Sequence, residues 1–278
     1  TVIGLGCIGL YTVLKLHYLG YTNVKIIAEK FDETPSIYAG GLMEISLMKD
    51  IDADYMNKIF YETFIEYKKI YENNHEILNK GIRFVDYFTD EFNDKMGISY
   101  IEHKGLIPKV NKVFLEFDTN KNLKLPVYHF KTFHIVTIEF MDHMMNKAKE
   151  FKIPIEFRKI KNFEEVNSEI IFNCTGLGSR ELNNDSDCYP IAGHGINLNN
   201  EEYSKHDFII RLENVEKLEN DHPINGPLYF MPKNTGFIGG TYMPNYDGEN
   251  KEKNDLEFSK LIKRAQYFFN DMKATPKF

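Results

Sequence analysis

A glycine-rich turn near the first residue constrains the fold of this chain more than any other feature of its sequence. The turn follows an apolar stretch that ends at Leu5 and precedes apolar residues with helical spacing, from Leu10 to Leu16. A second apolar stretch, residues 24–28, comes next. Strand, turn, helix and strand in this order predict a βαβ unit. The turn has the spacing GxGxxG, and its residues are Gly4, Leu5, Gly6, Cys7, Ile8 and Gly9.

This βαβ unit predicts a site for a dinucleotide. The first glycine allows a tight turn, the second lets a diphosphate approach the backbone, and the third lets helix and strand pack closely. The helix then directs unpaired N–H groups and the positive end of its dipole at the phosphates. Glu29 ends the second strand, about twenty residues past the turn, where a carboxylate accepts hydrogen bonds from both ribose hydroxyls. An incidental turn with a solvated Glu29 is the alternative, and the unit alone does not separate FAD from NAD.

Composition and charge argue against several classes of function. The chain has 278 residues, of which 42% are hydrophobic, enough for a large core in one or two domains. Its net charge of −7, with acidic and basic residues interspersed, argues against a nucleic-acid partner. No apolar run approaches the roughly 18 to 20 residues of a membrane span, and no signal peptide is recognisable. We therefore expect a cytoplasmic protein, peroxisomal if eukaryotic, with no membrane partner and with a homodimer as one option.

The cysteines and histidines indicate no metal site. Cys7, Cys174 and Cys188 are far apart in the sequence, so neither a disulfide framework nor a CxxC motif is present. Buried free thiols are the simplest interpretation. The nine histidines include no HExxH motif. We therefore expect no metal cofactor.

The rest of the chain alternates between helical and strand patterns. Apolar and aromatic residues at helical spacing between residues 52 and 80 predict one or two helices whose aromatic side chains are core. Stretches rich in Phe, Tyr, Val and Ile between residues 82 and 136 predict an antiparallel sheet. A helix over residues 137–150 and a short strand ending at Cys174 then resume the α/β pattern.

These patterns predict an α/β fold with two interleaved domains. Strand patterns return from Gly193 onwards, and Asn254 with Glu257 suggests a capping box at the start of a final helix. We assign residues 1–50 and 135–190 to a Rossmann-like nucleotide-binding domain. Residues 51–134 and 191–278 form an antiparallel-sheet domain for the substrate.

The stretch after the second strand narrows the choice of cofactor. Residues 29–42 place hydroxyl groups and then small residues where a further cofactor moiety must pass close to the backbone. At this point the sequence resembles the family of D-amino-acid oxidases and D-aspartate oxidases, which are flavoenzymes. The resemblance covers most of the chain and implies FAD as the cofactor. It is carried by the glycine turn and by the segments 39–42, 157–166, 170–176, 190–195, 229–232 and 239–240.

The resemblance implies a set of cofactor-binding residues besides those of the turn. One group holds the adenosine and phosphate region, a second lines the pyrophosphate and the flavin, and a third lies on the adenine side or closes over the nucleotide. For Thr175 the alternative is a capped strand end. In this order the groups are Glu29 and Lys30; Ser36, Gly40, Gly41 and Leu42; and Ile160, Thr175 and Gly176.

The resemblance also implies a substrate pocket built around Tyr229. Its hydroxyl would hold the amino-acid carboxylate, with a buried core tyrosine as the alternative. Asn225 stands where many relatives have a second tyrosine. The family's carboxylate-binding arginine and its glycine-rich closing segment would come after Phe278, beyond this sequence. The arginines present are interpreted as surface or structural charges, and they are Arg83, Arg158, Arg180, Arg211 and Arg264.

The function that the resemblance implies is oxidation of a D-amino acid. Hydride would pass from the α-carbon to flavin N5, and oxygen would accept the electrons to give hydrogen peroxide, a keto acid and ammonia. The protein would supply alignment and a dry pocket. The alternatives are a flavin dehydrogenase or amine oxidase of the glycine or sarcosine type, and a non-catalytic nucleotide-binding protein.

Overall fold

Two structural units share the chain, and each is assembled from three separate stretches of sequence. The computed structural model describes residues 1–45, 51–74, 80–92, 97–117, 120–198, 201–213, 226–233, 236–269 and 274–275. Unit 1 consists of Thr1–Gly41, Lys68–Ile82 and Ile135–Pro190. Unit 2 consists of Leu42–Tyr67, Arg83–His134 and Ile191–Phe278.

Helices and strands alternate along both units. The helices are α1 (Cys7–Tyr18), α2 (Pro35–Tyr38), α3 (Ala53–Tyr71), α4 (Ile98–His103), α5 (Thr137–Glu150), α6 (Ser179–Leu182) and α7 (Lys251–Phe268). The strands are β1 (Val2–Ile3), β2 (Ile26–Ala28), β3 (Ile82–Thr89), β4 (Asn111–Phe117), β5 (Asn120–Ile135), β6 (Ile155–Phe157), β7 (Phe172–Asn173), β8 (Ile191–Ala192), β9 (Gly195–Leu198), β10 (Phe208–Leu212), β11 (Leu228–Met231), β12 (Phe237–Gly239), β13 (Met243–Pro244) and β14 (Ala274–Thr275).

Unit 1 contains a parallel sheet with the strand order β6-β2-β1-β7. Strand β1 pairs in parallel with both β2 and β7, and β2 pairs in parallel with β6. Val2, Ile26 and Ile27 are fully buried, as expected for the central strands of a parallel sheet. Helix α1 connects β1 to β2, so the predicted βαβ unit is confirmed.

Helices α1 and α5 pack against each other in unit 1. Helix α1 buries Leu10 and Leu14, which belong to the apolar stripe seen in the sequence. Helix α5 has the bounds that the sequence predicted. The segment Lys68–Ile82 also belongs to unit 1, whereas the sequence assigned it to the substrate domain. The reason is close packing at Gly81, where an added Cβ would lie 2.7 Å from the Phe140 nitrogen of α5.

Unit 2 contains a mixed sheet with the strand order β14-β9-β12-β11-β10-β3-β5-β4. Strand β10 runs parallel to β3. The pairings β10–β11, β11–β12, β12–β9, β14–β9 and β4–β5 are antiparallel. The sheet is thus mostly antiparallel, as predicted, with one parallel pair that local patterns did not indicate. A parallel pair requires a long connection, and the return of the chain through unit 1 supplies it.

One face of this mixed sheet forms the core of unit 2, and helix α7 covers it. Because side chains alternate between the two faces of a strand, every second residue of β10 to β12 points away from α7. That other face carries the polar residues described below. The buried side chains of the core face are Ile196, Leu198, Ile210, Leu212, Leu228, Phe230 and Ile238 from the sheet, with Phe258, Leu261, Ala265 and Phe268 from α7.

Two helix predictions are wrong in detail. In α3, Phe64 is buried as expected, but 59% of Tyr55 is exposed because it lies on the outer face of the helix. Helix α7 begins at Lys251, and its cap is Asn250, whose side chain accepts a hydrogen bond from the Lys253 N–H. The predicted cap, Asn254, therefore lies inside the helix.

Candidate nucleotide and substrate sites

A cleft of about 680 Å³ lies in unit 1 at the carboxyl ends of β1, β2 and β7. The carboxyl edge of a parallel sheet is where ligands bind in open α/β folds. The glycine turn follows β1 at this edge, Glu29 follows β2, and Cys174 follows β7. The residues predicted to bind a cofactor that line the cleft are Gly4, Leu5, Gly6, Cys7, Ile8, Glu29, Lys30, Ser36, Ile160, Thr175 and Gly176.

The glycine turn is packed so closely that two of its positions admit no side chain. Gly4 has φ +109°, and an added Cβ would lie 2.2 Å from the Cys174 carbonyl oxygen. At Gly9 an added Cβ would lie 2.1 Å from the Gly4 carbonyl oxygen. Gly6 is the N-cap of α1 and has no side chain that could cap the helix, and the first turn contains no acidic residue. The positive end of the helix dipole therefore faces the cleft, as anion binding requires.

Two hydroxyl groups lie in the cleft lining after β2. The Ser36 Oγ atom accepts a hydrogen bond from the Cys7 N–H at 3.0 Å. The Thr34 Oγ1 atom is buried and has no hydrogen-bond partner among the described residues. A buried hydroxyl without a partner is costly, and a phosphate oxygen would satisfy it. The lining thus fits the diphosphate of a dinucleotide. Thr34 was missed from the sequence, although the run Thr34-Pro35-Ser36 pointed to it.

Charged side chains surround the end of the cleft that follows β2. Glu29 is exposed at the rim, directly after β2. Lys30 bonds Glu33 at 2.7 Å, and this hydrogen bond raises the pKa of Lys30 and lowers that of Glu33. Arg158, interpreted from the sequence as an ordinary charge, also lines the cleft while it pairs with Glu156 at 2.5 Å. The lining therefore offers both a carboxylate for ribose hydroxyls and cations for phosphate.

Thr175 combines the two alternatives that the sequence left open. It lines the cleft, and its hydroxyl also donates to the Asn173 Oδ1 atom at 2.7 Å. The same Asn173 oxygen accepts the Thr175 N–H at 3.3 Å. The strand end is therefore capped locally and presents Thr175 to the cleft at the same time.

The cleft lining does not include Gly9, Gly40, Gly41 or Leu42. Gly41 has φ +75°, and an added Cβ would lie 2.0 Å from the Ile135 carbonyl oxygen, so this glycine serves packing on the strand before α5. Leu42 belongs to unit 2, where it forms an isolated bridge with His134. The predicted flavin-lining role of these residues stays a prediction.

Tyr229, the predicted substrate residue, lies on β11 in unit 2, on the face opposite to α7. Its cross-strand partners are Arg211 on β10 and Gly239 on β12. Burial raises the pKa of the Tyr229 hydroxyl, and the Arg211 guanidinium on the neighbouring strand opposes part of that rise. The phenol therefore stays protonated at neutral pH and keeps its own proton to donate. Asn225 lies outside the described residues.

Arg211 is a structural charge, one of the two roles that the sequence left open for the arginines. Its guanidinium bonds the carboxylates of both Glu44 and Glu213, and four fifths of its side chain is buried. The Tyr87 hydroxyl donates to the second oxygen of Glu44 at 3.1 Å. A single arginine inside the apolar run Phe208–Leu212 was the available signal, because strand alternation places it on the face away from the core.

The structure gives no indication of a metal site or of a membrane span within its described part. Among the described residues, no three His, Cys, Asp or Glu side chains are grouped as metal ligands. No helix in the part of the chain that the structure describes has the length and apolarity to cross a membrane.

The sequence is similar to that of known D-amino-acid oxidases. No protein-family model matches the chain. A D-amino acid oxidase of Dugesia ryukyuensis is 32% identical over 45% of this chain, a stretch that spans 36% of the relative's length. The D-amino-acid oxidase of Dictyostelium discoideum is 28% identical over 95% of this chain and 71% of its own length. That of Schizosaccharomyces pombe is 25% identical over 93% of this chain and 74% of its own length.

Solved structures of flavin-dependent oxidases have the same fold. A glycine oxidase from Bacillus cereus matches 99% of this chain and 79% of its own with a TM-score of 0.60 at 15% identity. An iminodiacetate oxidase from Chelativorans matches 99% of this chain and 80% of its own with a TM-score of 0.63 at 11% identity. The L-α-glycerophosphate oxidase of Mycoplasma pneumoniae, solved with FAD bound, matches 99% of this chain and 80% of its own at a TM-score of 0.57 and 12% identity.

Proposed function

We propose that this chain, a sequence relative of the D-amino-acid oxidases with the fold of FAD-dependent oxidoreductases, oxidises D-amino acids with FAD as its cofactor. Oxygen is the proposed electron acceptor, and the products are hydrogen peroxide, a keto acid and ammonia. The single observation that carries the proposal is the cleft of unit 1. There a helix N-terminus with no acidic residue in its first turn, and the buried Thr34 hydroxyl, which has no partner among the described residues, both favour an anionic ligand.

The residues of unit 1 would hold the ADP half of FAD. Gly4 and Gly9 keep the turn free of side chains, so a diphosphate reaches the backbone at the start of α1. Glu29 would accept hydrogen bonds from the ribose hydroxyls. When bound, FAD would supply the group that accepts the hydride from the amino acid's α-carbon. The same group would pass the two electrons on to oxygen.

The residues of unit 2 would hold the amino acid. Tyr229 would donate its hydroxyl proton in a hydrogen bond to the substrate carboxylate, because burial raises the pKa of the phenol and keeps it protonated. Its role is to fix the α-carbon in one orientation, which lowers the entropy cost of reaching the transition state. The imino acid released from the protein hydrolyses in water to a keto acid and ammonia.

The cofactor is tested with protein expressed from the complete gene and saturated with FAD and NAD together. Chromatography of the cofactor released on denaturation should recover FAD. The Gly9→Ala variant should retain little FAD, because the added methyl group collides with the Gly4 carbonyl oxygen. Recovery of NAD without flavin would refute the proposal.

The reaction is tested by following hydrogen peroxide release with D-alanine, D-aspartate, L-alanine, glycine and sarcosine. Turnover of a D-amino acid with stoichiometric peroxide is the expected result. Faster turnover of glycine or sarcosine would instead favour an amine oxidase of the glycine type. Oxidation that requires an artificial electron acceptor and releases no peroxide would favour a dehydrogenase.

A further inference from the structure

A cluster of charged groups occupies the sheet face of unit 2 that carries Tyr229. Arg211, the cross-strand partner of Tyr229, bonds Glu44 on one side and Glu213 on the other. The Glu213 N–H in turn donates to the Asp90 carboxylate at 2.8 Å. Glu44, Arg211 and Glu213 are each only partly exposed, with side-chain accessibilities of 20%, 20% and 25%. Their charges therefore act in an environment that water screens incompletely.

The cluster carries more negative than positive charge. One guanidinium faces the two carboxylates that bind it, which leaves an excess of one negative charge among these three side chains. Arg211 is thus already neutralised by partners within the protein. A substrate carboxylate that approached its guanidinium would have to displace one of these carboxylates, and the displaced carboxylate would stay half-buried without its partner.

The electrostatic environment differs between the two tyrosines of this face. Burial raises the pKa of Tyr229, and Arg211 opposes that rise by more than Glu213 adds to it. Burial also raises the pKa of Tyr87; a hydrogen bond with Thr89 opposes that rise, and the carboxylates of Glu213, Asp90 and Glu91 add to it. Arg211 is the cross-strand partner of Tyr229, whereas the Tyr87 hydroxyl bonds the Glu44 carboxylate, so the face is more positive at Tyr229 and more negative at Tyr87. Glu44 lies at the negative end, since it accepts the hydrogen bond of Tyr87.

We propose that this charge arrangement makes Glu44 a specificity-determining residue for amino acids with a positively charged side chain, such as D-lysine. The substrate carboxylate takes the Tyr229 end of the face, and the side-chain cation takes the Glu44 end. A carboxylate has about four lone-pair sites, so Glu44 retains acceptor capacity beyond its bonds to Arg211 and Tyr87. This inference rests on the proposed function, because it concerns the substrate of the same oxidase.

The test compares substrates that differ in side-chain charge, with FAD-loaded protein from the complete gene. D-Lysine, D-norleucine and D-glutamate have unbranched side chains that are positive, neutral and negative at neutral pH. We expect kcat/KM for D-lysine to exceed that for D-norleucine by about ten-fold, the usual effect of a hydrogen bond to a charged group. Raising the salt concentration should lower this ratio of kcat/KM values, because salt screens the attraction between the substrate ammonium and the partly exposed Glu44 carboxylate.

Two substitutions distinguish the effect of the Glu44 charge on substrate preference from the effect of a carboxylate elsewhere in unit 2. Glu44→Gln should reduce the ratio of D-lysine to D-norleucine toward one. Glu62→Gln, on an exposed carboxylate of α3, removes the same charge elsewhere in unit 2 and should leave the ratio unchanged. Thermal unfolding and FAD content of both variants check that they are folded, and the salt dependence of the unsubstituted protein tests the idea without any variant.

Each outcome bears on one of the two claims. A ratio above one that falls in Glu44→Gln and in high salt supports the inference. Faster turnover of D-norleucine or D-glutamate, or a ratio that Glu44→Gln does not change, overturns the inference while the proposed oxidase function stands. Absence of bound FAD together with no oxidation of any amino acid overturns both.

Discussion

The phenol ring of Tyr229 lies over Gly239, its cross-strand partner on β12. An added Cβ at Gly239 would be 2.1 Å from the Tyr229 Cε2 atom and 2.4 Å from its hydroxyl oxygen. The glycine therefore provides the space that the ring occupies, and the ring in turn covers a strand position that has no side chain. This arrangement fixes the position of the hydroxyl that we assign to the substrate carboxylate.

Replacement of Tyr229 by Phe removes that hydroxyl and keeps the ring. We expect kcat/KM for D-amino acids to fall by the equivalent of about 1 to 3 kcal/mol, the loss for a hydrogen bond to a charged group. FAD content should stay the same, because Tyr229 is not part of the unit 1 cleft. Steady-state kinetics with several D-amino acids provide the measurement. An unchanged kcat/KM with all of them would make Tyr229 a core residue only.

Replacement of Glu29 by Arg should weaken FAD binding at least ten-fold, on the order of the loss of two charge-assisted hydrogen bonds. The change removes the acceptor for the ribose hydroxyls at the rim of the cleft. Fluorescence titration of the protein with FAD gives the Kd. Glu164→Arg makes the same charge change at an exposed position of unit 1 outside the cleft, and its Kd should match that of the unsubstituted protein. Equal affinities in all three proteins would mean that the ribose site is misplaced.

Replacement of Thr34 by Val should have opposite effects with and without FAD. In the FAD-free protein the change removes a buried hydroxyl that has no partner among the described residues, so stability should stay equal or rise. With FAD the same change should raise the Kd about ten-fold, because a phosphate oxygen loses a donor. Ser36→Ala is the contrast, since it leaves the Cys7 N–H without its acceptor and should destabilise the FAD-free protein. A Thr34→Val variant with unaltered FAD affinity would contradict the fit of this cleft to a diphosphate.

Lys233 should make the stability of the protein depend on pH. Only 2% of this residue is exposed, and burial lowers its pKa from 10.5 to about 8. Between these two pH values the unfolded chain binds a proton at this lysine that the folded chain does not, so stability rises as pH increases from 8 to 10.5. Below pH 8 the full cost of the buried charge persists.

Lys233→Met should remove this pH dependence. At pH 7 the variant should be more stable by about 1 to 3 kcal/mol, the lower value allowing for solvent screening. Denaturant unfolding at pH 7 and at pH 9.5 measures both effects, with Lys263→Met on the exposed face of α7 as the control. If the free energy of unfolding changed equally with pH in the unsubstituted protein and in the Lys233→Met variant, burial of the charged Lys233 would not destabilise the protein.

The cleft of unit 1 was largely predictable because its parts are local in sequence. The glycine turn, Glu29 and Ser36 all lie within the first 36 residues, and a βαβ pattern brings them to one sheet edge. Thr34 was within reach of the same reasoning. That the Thr34 hydroxyl is buried without a hydrogen-bond partner among the described residues depends on three-dimensional packing, and no sequence pattern shows it.

The charged cluster of unit 2 was not predictable, because its members come from distant parts of the chain. Glu44, Tyr87 and Arg211 meet only through the parallel pairing of β10 with β3 and through tertiary contacts. Local patterns do not contain this pairing.

The error in the cap of α7 has a related cause. The Asn254 side chain accepts hydrogen bonds from His194 at 2.9 Å and from Tyr246 at 2.8 Å, so tertiary partners use the polar group that the sequence assigned to a local cap. Asn250 supplies the cap one turn earlier. Both asparagines satisfy a capping pattern in the sequence, and only the fold distinguishes them.

The parallel pairing of β3 with β10 also sets an order of events during synthesis. Thr89 and Arg211 are cross-strand partners, so the mixed sheet cannot close until Leu212 has left the ribosome. The parallel sheet, by contrast, has its last strand complete at Asn173. Nascent chains stalled at Leu212, with β10 still inside the ribosome, should therefore already protect β1 and β2 from proteolysis, while residues 82–89, which lack the β10 partner, are cleaved more readily than in the full chain. Strand β3 is thus complete about 6 to 25 seconds before its partner β10, because synthesis proceeds from Thr89 to Leu212 at roughly 5 to 20 residues per second.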